Sequence, residues 1–122
     1  MNRNPDTFLP LSPPVFHILL ALADRERHGY AIIKEIERRT SESIVLSTGT
    51  LYAAIKRLSA DGLIESAEGR ADPELDDARR RYYQLTSLGK LVVRGETERL
   101  AELVTMSRDK QLSPWFSGGS VE

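Results

Sequence analysis

The hydrophobic pattern of this 122-residue chain predicts a mainly α fold with a small β-hairpin (α+β): three helices, two strands and a long final helix. Three observations carry that expectation. Apolar residues recur at helical spacing in three blocks between residues 13 and 61, two of them opened by a serine suited to capping. Two runs rich in β-formers, Leu63 to Ser66 and Arg79 to Leu85, flank a polar, strongly acidic stretch, as in a hairpin with a long tip. A last periodic segment runs from Thr86 to about Gln111, too long for a three-helix core to cover.

In chain order, residues 1–11 read as a loose, flexible arm. Ser12 then caps a first helix, Pro13 to Ala23, with proline in its first turn and Val15, Ile18, Leu19 and Leu22 largely buried. A polar break from Asp24 leads to a second helix over about Gly29 to Thr40. Its spacing turns Tyr30, Ile33 and Ile36 inward and Lys34, Glu37 and Arg38 outward. Residues 40–43 form a turn and Ile44 to Leu46 an apolar connector. Ser47 caps a third helix that extends to about Asp61, where Gly62 fits a left-handed terminus. Thr86 caps the last helix. Residues 12–85 are therefore expected to form a winged helix–turn–helix domain and residues 86–112 a C-terminal dimerisation helix. Residues 113–122 form a tail that holds Trp115 and Phe116.

Composition narrows the function. The formal net charge is -1, so a polyanion-binding role requires positive charge gathered on one face. There is no cysteine, and the only histidines are His17, set among apolar residues, and His28. With no Gly-rich phosphate loop and no His–carboxylate metal spacing, neither catalysis nor a cofactor is expected. Asp72 to Asp77 lacks the glycine and closing glutamate of a calcium loop, so no metal is expected either. No stretch of eighteen apolar residues and no signal-peptide pattern occur, so neither a membrane span nor export is expected, and the cytoplasm is the expected compartment.

The third helix is the main candidate for recognition. Leu51, Ala54, Ile55 and Leu58 fall on one face; Gly49, Ala53, Lys56 and Ala60 fall on the other, flanked by Thr50, Tyr52 and Arg57. An unpartnered solvent face would normally be filled with Glu, Lys and Gln. A face bare in the middle and hydrogen-bonding or cationic at its edges suits a DNA major groove. The candidate contacts are Ser47, Thr48, Gly49, Thr50, Tyr52, Lys56 and Arg57. Alternatives stay open for three of them: Tyr52 packing on the wing, Arg57 pairing with an acid, and Thr50 supporting the helix start.

Arg79 to Arg81 place guanidinium groups at the base of the hairpin beside Tyr82 and Tyr83. Arg80 and Arg81 are candidate DNA contacts, with neutralisation of the neighbouring acidic loop as the alternative. His28 stands before the second helix, whose free N–H groups suit a phosphate, although a lone exposed histidine is often inert. Tyr30 joins the candidate set despite its inward spacing. In the last helix Leu88, Leu91, Val92, Leu100, Leu103 and Val104 form a stripe that a homodimer would bury.

Four stretches, His28-Gly29-Tyr30-Ala31-Ile32, Ser47-Thr48-Gly49-Thr50-Leu51-Tyr52, Leu58 to Ile64, and Arg80 to Thr86 with Gly89, together resemble the PadR transcriptional regulators over about residues 13–90. The resemblance implies a dimeric winged-helix repressor of near-palindromic promoter sites, its last helix reaching across to the partner. It also assigns Ser47, Thr50, Tyr52 and Lys56 to a recognition helix and Arg80 to a wing. Ala53 departs from the pattern, standing where many members carry proline. The single helix after the wing is similar to the short subgroup, whose members bind flat apolar compounds at the dimer interface. A small hydrophobic effector is the corresponding candidate ligand, with Trp115 or Phe116 contributing, or else packing on the partner helix or lying free. Double-stranded DNA and a second copy are the expected partners. The alternative is a winged-helix protein–protein module without DNA binding.

Overall fold

The computed structural model describes residues 4–67 and 81–112. Ser12 caps the first helix, α1 (Pro13–Ala21), its Oγ accepting the Val15 N–H at 3.4 Å. The helix closes two residues earlier than its apolar spacing suggests. The N–H groups of Leu22 and Ala23 turn back to the carbonyls of Leu19 and Leu20, three residues behind, in a 3₁₀ finish.

A strand too short to leave a periodic signal follows, β1 (Arg27–His28), and then α2 (Gly29–Arg39). After a turn and the apolar connector comes α3 (Thr48–Ala60), capped by Ser47 and followed by Gly62 at φ +79°. The strands β2 (Ile64–Ser66) and β3 (Tyr82–Leu85) are antiparallel, and Thr86 caps α4 (Ser87–Asp109). The sheet has three strands rather than two, in the order β1-β3-β2, with Arg27 opposite Tyr83 and Ile64 opposite Leu85. Because β3 is central, the wing is stitched to the start of α2 as well as to the end of α3.

One core unites these elements. Ile18 and Leu19 of α1, Ile32 and Ile36 of α2, Leu51, Ile55 and Leu58 of α3, Leu63 and Ile64 at the hairpin, and Val92 of α4 are all buried. Each such aliphatic side chain contributes about 1.5–3 kcal/mol by leaving water. Val92 thereby leaves the expected dimer stripe: it is completely buried in its own chain, because the first half of α4 packs on α1 and β3. Leu88 is half-buried against the same core.

The arm is also revised. Asn4 caps a 3₁₀ turn over Pro5–Phe8 that lies on α4, and Phe8, Leu9 and Leu11 pack against the core. Its two prolines and few apolar residues hide this from periodicity. Tyr30 reverses direction, being 59% exposed, because α2 turns Ile32, Ile33 and Ile36 into the core instead.

An ionic cluster joins the end of α1 to α2. Arg27 donates Nε–H to the Ala21 carbonyl at 2.7 Å and lies 3.7 Å from Glu35. Arg38 and Arg39 meet the same carboxylate at 2.7 and 2.9 Å. Hydrogen bonds from Arg38 and Arg39, with the charge of Arg27, hold Glu35 down to a pKa of about 2. A carboxyl lowered on folding stabilises the fold above its unfolded pKa and loses that contribution as pH falls toward the folded value. Glu35→Gln should therefore unfold at lower urea than the parent at pH 7. The gap between the two midpoints should narrow below pH 4.5 and close near pH 2.

Candidate nucleic-acid interface

Three contacts bring the start of α2, the helix α3 and the wing together. The first is the His28 cap. Its Nδ1 accepts the Ala31 N–H at 3.1 Å, so the imidazole itself fills one of the open positions at the α2 terminus. His28 is half-buried, which is a different place from the exposed one expected of it. The second is an edge-on packing of His28 against Tyr82 of β3, with centroids 5.4 Å apart and planes at 82°. The third is Tyr52, whose ring packs on the core and whose hydroxyl lies over Gly29, so closely that a Cβ there would collide with it. Tyr52 is half-buried and packs against the start of α2.

Around this junction the α3 face is laid out as the wheel indicates. Leu51, Ile55 and Leu58 are buried and Ala54 is half-buried. Ser47, Thr48, Gly49, Thr50, Ala53, Lys56 and Arg57 are exposed. Ser47 Oγ accepts the Thr50 N–H at 3.1 Å and lies 3.0 Å from Thr50 Oγ1, so both hydroxyls are held at the helix start. Thr50 thus supports the cap while its side chain faces solvent. A Cβ added at Gly49 meets nothing within 4 Å, so nothing in the chain itself demands glycine there. Among the described residues, no acid pairs with Lys56 or Arg57.

Tyr30 stands exposed beside Gly29, and Lys34 Nζ sits 5.3 Å above its ring. The nearby Glu37 carboxylate and Tyr30 raise the Lys34 pKa, so Lys34 is cationic at neutral pH. Lys34 lies on the outward face its spacing predicts, and its four-residue distance from Tyr30 is the sequence signal that pairs the two. Arg81 is exposed at the start of β3, while Arg79 and Arg80 lie outside the described residues, as does most of the acidic loop.

Among the described residues, other chemistry is not assembled. His17 borders a groove of about 440 Å³ between α1 and α2, beside Leu20, Glu35 and Arg39, but the Glu35 carboxylate is committed to three arginines. Among the described residues, no group of acids and histidines could hold a metal, and no helix is long and apolar enough to cross a membrane.

Fold and face together define a winged helix–turn–helix domain followed by a long helix. The sequence profile of the transcriptional regulator PadR-like family matches residues 18–94, and the chain belongs to that family. It is therefore a member of a family of transcriptional regulators and not of enzymes. It is 38% identical over 87 residues to transcriptional regulator Rv3488 of Mycobacterium tuberculosis, covering 71% of this chain and 75% of that one. An uncharacterized protein of Lysinibacillus sphaericus is 40% identical over 73 residues, 60% of this chain; the match spans 64% of that protein's length, just under two thirds. Among solved structures, a transcriptional regulator from Clostridium thermocellum superposes with a TM-score of 0.62 at 31% identity, over 81% of this chain and 89% of that one.

Filling the space over Gly29 should disturb the junction. Gly29→Ala should cost about 1–3 kcal/mol, the usual range for overpacking, by driving Tyr52 off its seat. Urea denaturation checks this, and a second substitution, Tyr52→Leu, should recover part of the loss.

Proposed function

We propose that this protein is a sequence-specific DNA-binding repressor that works in the cytoplasm, gripping a near-palindromic promoter site as a homodimer. The observation that carries the reading is the exposed α3 face, small at Gly49 and Ala53, hydroxylated at Ser47, Thr48 and Thr50, and cationic at Lys56 and Arg57. In this reading the N-terminal half of α3 meets base edges, while Lys56 and Arg57 reach phosphates on either side. Tyr30 with Lys34, and Arg81 with Arg80 from the wing, meet the flanking backbone. The half-buried His28 acts through the cap it makes.

The second copy is argued from α4. Its inner face buries Val92 and Glu96 and half-buries Leu88, then continues along the same side as Leu103 and Met106, both exposed. Leu91 is exposed as well, and Leu100 and Val104 are half-buried. A helix that outruns its own core presents an apolar strip of the kind soluble chains cover with a partner. Two-fold pairing along it would set the two α3 helices about 34 Å apart, one turn of DNA. A flat apolar effector would sit between the paired helices, where it could change that spacing.

Fluorescence anisotropy against a duplex from upstream of the gene, beside a scrambled duplex, tests the reading. Submicromolar binding that prefers the upstream duplex and weakens steeply with salt is expected. Equal weak binding or none would contradict it and favour a protein partner for α3. Lys56→Ala should weaken binding to both duplexes and lower the slope of log affinity against log salt by about 1. Leu103→Glu combined with Met106→Glu should sediment as a monomer at micromolar concentration.

A further inference from the structure

Glu96 is the one charged residue among the buried side chains described, and it lies in the middle of α4. Its Oε2 accepts the Leu11 N–H at 3.2 Å, and Arg99 closes on both oxygens at 2.7 and 2.9 Å. One helical step earlier, Gly95 lets Leu9 approach so closely that a Cβ there would touch its Cδ1 at 3.2 Å. The segment that Glu96 holds runs directly into Ser12 and Pro13, the start of α1. The carboxylate therefore ties the midpoint of α4 to the first turn of α1, where the winged helix–turn–helix domain begins.

Burial alone does not ask for a carboxylate at this place. A leucine or methionine would fill the volume without the desolvation cost, whereas a charge with directed hydrogen bonds fixes one geometry. Position makes that geometry matter. Glu96 is the last fully buried residue on α4, and the helix continues to Asp109. Those remaining turns form a lever of about 20 Å at 1.5 Å per residue, so about 10° of slack at Glu96 displaces its end by about 3–4 Å.

We propose that Glu96, through Leu11 and Arg99, is a positioning residue that sets the angle between α4 and the DNA-binding domain, and so the separation of the two α3 helices in the dimer. The inference rests on the dimeric, DNA-binding reading above.

The absence of cysteine allows a single nitroxide label at Ser59→Cys, an exposed position on α3 outside the proposed DNA contacts. Pulsed dipolar spectroscopy then reads the distance between copies. The otherwise unaltered chain should give one narrow distance. Glu96→Met should remain folded and dimeric by circular dichroism and sedimentation, yet at least double the width of that distribution and lose about tenfold in affinity for the upstream duplex. Glu96→Gln, which keeps an acceptor for the Leu11 N–H, should stay near the parent in width. Gly95→Leu, which lifts Leu9 without touching Glu96, should broaden the distribution as Glu96→Met does. Should Glu96→Met fail to fold, the Gly95→Leu result decides alone. A parent-like width in the folded variants, even with a lower Tm, would overturn the inference and leave the dimer reading intact. An unaltered chain with no distance between copies would overturn both.

Discussion

The architecture depends on the close packing at His28 and Gly29, where the start of α2 meets both α3 and the wing. Gly29 has no side chain, so Tyr52 can lay its hydroxyl over the backbone and draw α3 against α2. His28 spends one ring nitrogen on the helix cap and packs its ring at a steep angle on Tyr82, which fixes β3 beside the same terminus. Two adjacent residues thus orient the two elements that a winged helix must hold in register if both are to meet one ligand. Electrostatics reinforces the arrangement from behind, where Arg27, one residue earlier, is bound to the end of α1 and to Glu35.

The helices were legible in the sequence because their signals are local. Ser12, Ser47 and Thr86 cap the helices expected of them, and Gly62 adopts the left-handed conformation expected after α3. The two faces of α3 also followed directly from its wheel, since one side of that helix is buried and the other bare. What escaped is non-local. A two-residue strand has no periodicity, so β1 is set only by its pairing with Tyr82 and Tyr83. The arm looks polar and proline-rich in sequence, yet Leu9 and Leu11 find a surface on α4 that composition does not advertise. Nothing local marks Glu35 or Glu96, and only tertiary packing shows that each gathers donors from its own helix and from one segment outside it.

The side chains whose surroundings differ from their sequence spacing share one cause. Tyr30, Tyr52 and His28 are amphipathic residues whose direction depends on their neighbours rather than on their own type. Tyr30 and Tyr52 exchanged environments: the one with inward spacing is exposed, and the one set at the edge of the exposed face is packed. Val92 was misplaced because the length of α4 suggested a wholly unpartnered helix, whereas its first half completes the core. The helix therefore serves two surfaces in succession, its own domain up to Glu96 and an open one beyond. Family membership agrees with the fold.

The central claim is that the α3 face is bare because another surface must approach it. Gly49 tests this directly, since the chain itself has room for a side chain there. Gly49→Leu should fold at least as stably as the parent by urea denaturation, yet lose binding to the upstream duplex at all salt concentrations. A stable variant that still binds with parental affinity would contradict the account, because the small face would then serve no approaching groove.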